Sequence, residues 1–411
     1  MNDKLDILFS KVFCRMRHKT QLFNGSADDH YHTRLQHTIE VEDIALKMAS
    51  KIMTKYSDVV IDLNKISKIA LLHDIGHTPF GHAGERALHE IVSGKCCHQY
   101  DLPNFRSAKL TIGFKHNLNS GLLYSEATTF SNIDLDVLDG IVKHTKLTQG
   151  KRSKLDYGFE YIFSNRNGNY KIKEPATSEG LIVAFADEIA QVCSDYLDIS
   201  LDAESHKGFA VFDCPPFNNI FVASSEKRVI AKTAANYLID LFAKCYVPNI
   251  NLRKIKRSAF GIQINDFDIA RSDYISKNRR IANYDKKKKK VIKTLYSVFY
   301  HYPNEMNNDF FGDFSFRVKR IKLITDFVVN EAAFSTSCKS DILNYIQYVS
   351  GIVFSKTPKV SKSRLKDYRS ILKLYNRSIA VYISKMTDNY ADHKYQKYKR
   401  KYKKLLTLFK D

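Results

Sequence analysis

Residues 71–85 have the sequence LLHDIGHTPFGHAGE. The adjacent pair His73–Asp74 follows an apolar run, so it can offer one nitrogen and one oxygen ligand from a single helix end. A His–Asp pair alone arises often by chance, but a pair followed by GHTPFGH is far more specific. The glycines and the proline of that string are expected to break the helix, so that the next histidines turn toward the same pocket. The stretch therefore predicts a metal centre at the end of a helix.

Apolar residues recur at spacings of three and four along most of the chain, which is the period of an amphipathic helix. One such stripe runs from Ile39 to Ile52. The same pattern predicts helices over residues 65–73, 84–92, 179–197, 230–244, 291–301, 317–333, 340–353 and 378–386. The few short β-like pieces cannot build a sheet; they lie at 209–213 and 258–264. We therefore predict an all-α fold, with irregular connections near 94–120, 145–178 and 200–228.

Composition restricts the class of protein. The 411 residues are 44% hydrophobic and carry both signs of charge, which is typical of a globular chain. No apolar run approaches the roughly 18 residues of a membrane helix, and the N-terminus lacks the design of a signal peptide. We therefore expect a cytoplasmic protein with no membrane contact. The seven cysteines are scattered without a CxxC pair, which argues against a disulfide framework and a zinc–thiolate site.

The charge balance is strongly basic, with 65 Lys and Arg against 44 Asp and Glu and a net charge of +21. Such a field favours polyanionic partners, either nucleotides or nucleic acid. Lysines are concentrated in Lys286–Lys290 and in the tail from Lys394. Each run is interpreted either as a solvated face or as a surface that binds phosphate-rich partners.

Further residues extend the predicted metal centre. His37 opens the first long helical pattern, and Asp187 lies in another, so these two are the candidates for the remaining ligands. Imidazoles and carboxylates together suit a divalent ion that activates water for attack on phosphorus. Glu85 follows His82 by three residues, about one helical turn, so the two side chains can act on the same water or leaving group.

Several motifs resemble one enzyme family, the HD-domain deoxynucleoside triphosphate triphosphohydrolases, which include the bacterial dGTPases. HDIGHTPFGHAGE matches the family block HD-x-GH-x-PFGH-x-GE almost letter for letter. The other matching segments are KTQLF at 19–23, YHTRLQHTIEV at 31–41, GIVKH at 140–144 and YISKMTDNYA at 382–391. The resemblance covers most of residues 15–195 and a patch near 377–391.

The resemblance implies a role for each matching residue. The metal ligands would be His37, His73, Asp74 and Asp187, holding Mg²⁺, Mn²⁺ or another transition metal. His82 and Glu85 would be the catalytic pair, with His116 as a supporting histidine. Substrate contacts would come from Arg34 at a phosphate, Gln21 and Asp195 at the 3′-hydroxyl, Leu22 at the 2′ side, and Tyr390. His77 would be either a phosphate contact or a structural helix-end residue.

One position departs from the family pattern. Gln191 stands where the family usually has a tyrosine, four residues after the last metal ligand, that packs against the sugar and helps exclude a 2′-hydroxyl. Selection of deoxynucleotides would then rest on Leu22. The remaining histidines are expected at the surface: His18, His30, His32, His89 and His98.

The predicted activity is hydrolysis of a deoxynucleoside triphosphate, dGTP first, to deoxynucleoside and inorganic triphosphate. Two alternatives stay open. One is another HD phosphohydrolase, such as a 5′-nucleotidase or a hydrolase of alarmones or cyclic nucleotides. The other is a nucleic-acid-binding HD scaffold, for which single-stranded nucleic acid would be the partner. The resemblance also implies a homo-oligomer, either a tetramer or a hexamer.

The predicted domain division falls near residue 200. Residues 1–200 would form the phosphohydrolase core. Residues 201–411 would form a mainly helical region that packs on the core and completes the site or an oligomer interface.

Overall fold

The computed structural model describes residues 3–21, 32–127, 133–145, 174–205, 226–325 and 339–409, with the backbone alone for 201–205 and 320–325. Within these ranges helices alternate with turns, and the structure contains no strand. An isolated antiparallel bridge joins Thr20 to Thr33. The predicted all-α fold is confirmed.

The longer helices, in chain order, are α1 (Arg34–Lys55), α2 (Leu63–Leu72), α3 (Gly81–Val92), α4 (His116–Ala127), α5 (Leu135–Lys143), α6 (Ser178–Ser205), α7 (Lys227–Cys245), α8 (Ala259–Lys277), α9 (Arg279–His301), α10 (Asn308–Thr325), α11 (Lys339–Val353), α12 (Lys362–Ser384) and α13 (Asp388–Lys401). The short helices are Lys4–Leu8, Lys11–Cys14, Leu252–Lys256 and Lys403–Leu406, with 3₁₀ turns at Arg15–His18, Cys97–Tyr100 and Pro303–Glu305.

The described chain packs as two compact units, and neither is continuous in sequence. Of the described residues, the first unit contains those within 1–81, 116–150 and 157–286, and the second contains those within 82–115 and 287–411. The chain leaves the first unit after Gly81 and re-enters it at His116. The predicted division at residue 200 stays a prediction about domains.

The first unit is built around α6, which packs against α1, α2, α5, α7 and α8. Its partner α1 begins after Thr33, whose hydroxyl accepts a hydrogen bond from the Gln36 backbone N–H and so caps the helix. The face of α1 toward the core carries Val41, Ala45 and Met48, all fully buried. Burial of a side chain as large as Met48 contributes about 1.5–3 kcal/mol, so this stripe holds the helix, and the residues at its N-terminal end, against the core.

The turn after α2 places the metal-site residues. The α2 helix ends at Leu72 and α3 begins at Gly81, so the predicted helix break is confirmed. Gly76 lies so close to α4 that an added Cβ would be 2.2 Å from the Ser120 nitrogen. The Gly76 N–H donates to Ser120 Oγ at 2.9 Å, and the Gly76 carbonyl accepts from Asn119 at 2.7 Å. Only glycine fits this approach, which fixes the turn against α4.

The second unit contains a helical bundle in which α10, α11 and α12 pack against one another. Aromatic side chains dominate its interior. Phe310 and Phe314 lie edge-on to Tyr375 at ring-centroid distances of 6.0 and 5.5 Å. Edge-to-face contacts of this kind stabilise aromatic pairs by about 0.5–1.5 kcal/mol beyond burial.

Four predictions of local structure differ from the structure or extend outside the described residues. The segment 258–264, predicted as β-like, lies almost entirely in α8, so that prediction is wrong. Its apolar residues Phe260, Ile264 and Phe267 recur at helical spacing and are buried. The connection predicted near 94–120 ends earlier, because α4 begins at His116. The β-like piece at 209–213 and residues 326–333 of a predicted helix lie outside the described residues.

The cysteines and the apolar helices were the features of composition that bore on the class of protein. Cys14, Cys96, Cys97, Cys193 and Cys245 are free thiols. Among the described helices, none combines the length and the apolar character needed to cross a membrane.

Candidate metal centre

Three predicted ligands meet at the core of the first unit. His37 on α1 and His73 at the end of α2 lie beside Asp187 on α6. The Asp187 Oδ1 atom is 2.9 Å from His37 Nε2 and 3.7 Å from His73 Nε2. Both histidines are buried, and the Asp187 side chain is 19% exposed. Two donors bound about 2.1 Å from one cation lie roughly 3–4 Å apart, so these spacings fit a shared ion.

The fourth predicted ligand, Asp74, directs its two oxygens toward different partners. Its Oδ2 atom lies 3.9 Å from His73 Nε2 and forms an ion pair with Arg34. Its Oδ1 atom lies 3.8 Å from His116 Nε2. Donor atoms of His37, His73 and Asp74 all lie within 4.8 Å of one another. The structure therefore brings the four predicted ligands into one buried cluster.

The hydrogen bonds of His73 suit a metal ligand. Its Nδ1 atom lies 2.6 Å from the Ala70 carbonyl oxygen, which orients the ring. Its Nε2 atom is buried and has no hydrogen-bond partner among the residues that the structure describes. Histidines that bind metals commonly use one ring nitrogen for a backbone carbonyl and the other for the ion. The donor set of imidazoles and carboxylates fits Mn²⁺, Fe²⁺ or Zn²⁺ and also accommodates Mg²⁺.

The electrostatics favour ionised carboxylates in this cluster. Burial alone would raise the pKa of Asp74, but Arg34 and the neighbouring histidines hold it well below its ordinary value. Burial alone would raise the pKa of Asp187 too, but its hydrogen bond with His37 and the charges of the surrounding histidines together lower it. Burial, with His73 nearby, lowers the pKa of His144 to about 4. The cluster therefore offers two carboxylates and a neutral imidazole at neutral pH.

The segment around Gln21 lies beside the turn after α2. The Gln21 N–H donates to the His32 carbonyl at 3.2 Å, and the Arg34 N–H donates to the Lys19 carbonyl at 3.0 Å. The buried Lys19 ammonium donates to the His77 carbonyl. The Gln21 Oε1 atom is buried without a hydrogen-bond partner within the described part of the chain. Gln21, Arg34 and His77 are thus placed together in the first unit.

The Arg34 side chain is buried against Asp74. Its predicted role as a phosphate contact stays a prediction. His77 stacks on His116, with ring centroids 4.3 Å apart. That contact is compatible with both roles considered for His77.

Asp195 lies two turns beyond Asp187 on α6 and is buried. Its carboxylate forms an ion pair with Arg271 of α8 at 2.9 Å. Gln191 lies between the two aspartates on the same helix and is half-buried. Asp195 therefore has a fixed orientation, and its contact with the 3′-hydroxyl stays a prediction.

The other predicted site residues belong to the second unit or lie outside the described residues. His82 and Glu85 occupy the first turns of α3, where His82 is exposed and Glu85 is buried. The Glu85 carboxylate forms an ion pair with Lys115 at 2.6 Å. Tyr390, near the start of α13, is 45% exposed. Leu22 lies outside the described residues.

Sequence reasoning assigned no role to His144, which the structure places in the cluster. Its ring lies 5.0 Å from that of His73, and its Nδ1 atom is 2.7 Å from the Ile141 carbonyl oxygen. Its position at the end of the matching segment GIVKH was the available signal. Arg271 lies in a part of the sequence without a recognisable motif, and nothing marked it as the partner of Asp195.

The prediction of a surface position for His32 is wrong. His32 is buried, and its Nδ1 atom lies 2.7 Å from Asp198 Oδ1 on α6. The bridge between Thr20 and Thr33 is adjacent to this contact, so the ion pair holds residues 32–33 against the core. His18 and His98 are exposed as predicted, His89 is half-buried, and His30 lies outside the described residues.

Comparison with known proteins agrees with this site. The HD domain family matches residues 34–191, a range that contains all four predicted metal ligands. A deoxyguanosinetriphosphate triphosphohydrolase-like protein of Rickettsia akari is 30% identical over 301 residues, which cover 68% of this chain and 70% of the relative. The protein of the same description from Rickettsia prowazekii is 29% identical over 407 residues, covering 96% and 89%.

A third relative with that description, from Rickettsia rickettsii, is 35% identical over 202 residues. That alignment covers 48% of this chain and 45% of the relative, so the chain matches about half the length of this protein. The stronger identity is thus confined to part of the chain.

Proposed function

Since the chain belongs to the deoxyguanosinetriphosphate triphosphohydrolase-like family of HD-domain proteins, we propose that it is a metal-dependent hydrolase of deoxynucleoside triphosphates. The products would be the deoxynucleoside and inorganic triphosphate, with dGTP as the first substrate to test. The observation that carries the proposal is the buried cluster of His37, His73, Asp74 and Asp187 within the matched domain.

The four ligands would hold a divalent cation, Mg²⁺, Mn²⁺ or another transition metal. Such an ion supplies Lewis-acid polarisation of a phosphoryl oxygen and activation of water. Neighbouring residues of the chain orient the ligand side chains. The Ala70 carbonyl fixes the His73 ring, and Arg34 fixes one oxygen of Asp74.

The proposed chemistry breaks the bond between the α-phosphorus and the 5′-oxygen. Water attacks the phosphorus, and a protonated side chain supports the departing 5′-oxygen. We assign that support to His82, with Glu85 as its partner and His116 as a second histidine. These roles rest on the sequence motif that His82 and Glu85 share with the family.

Substrate recognition is proposed for a second set of residues. Arg34 and His77 would contact phosphates, Gln21 and Asp195 the 3′-hydroxyl, Leu22 the 2′ side and Tyr390 the nucleotide. The unpartnered Oε1 atom of Gln21 supports its part in this set, because a buried acceptor gains most from a ligand hydroxyl. The ion pair with Arg271 supports a fixed position for Asp195.

The decisive experiment incubates the purified chain with each dNTP and NTP in the presence of Mg²⁺ or Mn²⁺ and identifies the products by chromatography. The proposal expects deoxynucleoside and intact triphosphate. Release of orthophosphate or pyrophosphate would indicate another HD phosphohydrolase instead. An Asp187→Ala variant purified in parallel is the control for contaminating phosphatases.

The proposed assembly is a homo-oligomer, a tetramer or hexamer as the family resemblance implies. Sedimentation velocity with and without dGTP tests this proposal. A monomer in both conditions would contradict it.

A further inference from the structure

Asp195 and Arg271 form a buried ion pair between two helices of the first unit. Asp195 lies on α6 and Arg271 on α8, and Nη1 of Arg271 donates to Oδ2 of Asp195 at 2.9 Å. The Asp195 side chain is 2% exposed and that of Arg271 is 20% exposed. We propose that Arg271 is the positioning residue that makes Asp195 selective for a nucleotide 3′-hydroxyl. This inference rests on the proposed function, which places that hydroxyl at Asp195.

The place of Asp195 on α6 is the first support. It follows the proposed metal ligand Asp187 by eight residues, which is about 12 Å along the axis of the same helix. Eight residues make slightly more than two turns, so the two carboxylates lie on similar faces of α6. A nucleotide whose phosphates lie at Asp187 can therefore place its sugar at Asp195.

The way in which the guanidinium is held is the second support. Nη1 of Arg271 bonds to Asp195, and Nη2 lies 3.2 Å from Oδ1 of Asp268, about one turn earlier on α8. These two contacts fix the plane of the guanidinium, and the plane in turn orients the carboxylate that it binds. The contact uses Oδ2 of Asp195, so Oδ1 is the oxygen that can accept a hydrogen bond from a ligand hydroxyl.

The charge of Asp195 depends on the same contact. Burial raises the pKa of the Asp195 carboxyl, and Arg271 opposes that rise. Without the guanidinium, a carboxyl buried to this degree would shift toward its protonated form, which donates as well as accepts. An ionised carboxylate only accepts, so it selects a ligand that carries a hydroxyl donor. Arg271 thus controls both the orientation of Asp195 and the kind of group that it binds.

Packing alone does not explain this ion pair. The Nε atom of Arg271 is buried without a hydrogen-bond partner in the described part of the chain, and an unpaired buried donor lowers stability. Apolar side chains of similar volume often replace a buried ion pair without loss of stability. Arg271 also lies outside residues 34–191, the range that the HD domain family matches. The selectivity of the site would therefore depend on a helix that the matched domain does not include.

The test compares dGTP with 2′,3′-dideoxyguanosine triphosphate, which lacks only the 3′-hydroxyl. The kcat/KM for release of triphosphate from each nucleotide is measured with the full chain and Mn²⁺. We expect wild type to favour dGTP by about 10- to 150-fold, the effect of one hydrogen bond to a charged group. In Arg271→Gln this ratio should fall close to one, because dGTP turnover drops while turnover of the dideoxynucleotide changes little. Equal losses for both nucleotides, with the wild-type ratio kept, would show a merely structural role and overturn the proposal.

Further variants separate the ion pair from the fold. Arg271→Lys keeps the charge but has no fork to reach both Asp195 and Asp268, so its ratio should lie between those of wild type and Arg271→Gln. Asp195→Asn should also lower the ratio, and the double variant should lose no more than the larger single loss, because both changes remove one interaction. Lys277→Gln removes an exposed charge from the end of α8 and should keep the wild-type ratio. Circular dichroism melts check folding. Should Arg271→Gln unfold, Arg271→Lys decides, and a wild-type ratio in that variant would overturn the proposal.

Failure of this inference and failure of the proposed function give different results. Wild-type protein that hydrolyses dGTP and the dideoxynucleotide equally well would remove the inference and leave the function standing. For a chain without turnover, isothermal titration measures the binding of the same two nucleotides. Tighter binding of dGTP that is lost in Arg271→Gln would then support the inference and remove the function. Binding of neither nucleotide, or of both equally, would remove both.

Discussion

The Nε2 atom of His37 lies 2.9 Å from Oδ1 of Asp187, although 150 residues separate the two in sequence. This contact joins α1 to α6, the two helices that pack together most extensively in the first unit. A metal ion placed between them would replace a direct hydrogen bond by two coordinate bonds. The site and the core therefore depend on the same helix pairing.

Replacement of Asp187 by Ala should abolish both bound metal and turnover. The variant loses the ligand that lies closest to His37 and His73, and an incomplete ligand set holds a divalent ion poorly. Mass spectrometry of metal in the purified protein and the dNTP assay check the two effects. Full metal occupancy with a normal rate would exclude Asp187 as a ligand.

His82→Ala and Glu85→Ala should lower kcat by about 10²–10⁴ while the metal content stays unchanged. This is the usual loss when a general acid or base is removed. The metal count separates catalysis from coordination, because a variant that lost its metal would show a role in binding the ion. Lys115→Ala is a matched control, since it removes the ion-pair partner of Glu85 and leaves the carboxylate in place.

The buried His32–Asp198 pair should make stability depend on pH. Burial alone would lower the pKa of His32, but hydrogen bonds and charge from Asp198 and Glu40 raise it from 6.5 to about 10. Because the pKa of His32 is higher in the folded state than in the unfolded state, the ion pair stabilises the fold fully at pH values below the unfolded-state pKa. It is lost as the pH rises toward about 10.

We therefore expect His32→Gln to reduce the free energy of unfolding by about 3–5 kcal/mol near neutral pH, the usual cost of breaking a buried ion pair. The difference from wild type should shrink as the pH approaches 10. Urea denaturation at a series of pH values measures it, with the exposed His18→Gln variant as control. A difference that stayed constant across this range would contradict a charged His32.

The lysines of the run 286–290 differ in whether they form ion pairs within the chain. Lys288 forms an ion pair with Asp392, and Lys289 lies 3.6 Å from Glu90. Lys286 and Lys287 are exposed. If the run binds single-stranded nucleic acid, Lys286→Gln with Lys287→Gln should reduce the slope of log K against log salt by about 0.7 for each lost phosphate contact.

Dissociation constants measured across a salt series for wild type and the double variant give that slope. An unchanged slope would identify these two lysines as a solvated face. Lys288→Gln is a control that removes a positive charge from an ion-paired lysine of the same run. It should lower the melting temperature, because its loss leaves Asp392 unpaired and costs about 1 kcal/mol, whereas the double variant should melt as wild type does.

Local sequence was sufficient for the helical class and for the turn that carries His73 and Asp74. Helical periodicity is a property of neighbouring residues, and glycine and proline break a helix wherever they occur. His37 and Asp187 were indicated as ligands by their places in helical patterns and by the family resemblance. The seven residues 258–264 were too short a window to show a helical period. The helical spacing of apolar residues in Ala259–Lys277 becomes recognisable only when Phe267 is included.

Contacts between distant residues were decided by the tertiary structure alone. His32 is buried because Asp198, 166 residues away, offers a buried carboxylate beside it, and no local pattern marks such a partner. The same holds for Arg271 at Asp195 and for Lys288 at Asp392. His144 belongs to the matching segment GIVKH, but its position beside His73 depends on the packing of α2 against α5. A buried charged side chain needs a partner, because burial of an unpaired charge is costly. Which side chains are buried together is decided by how the helices assemble, and neighbours in the sequence do not determine it.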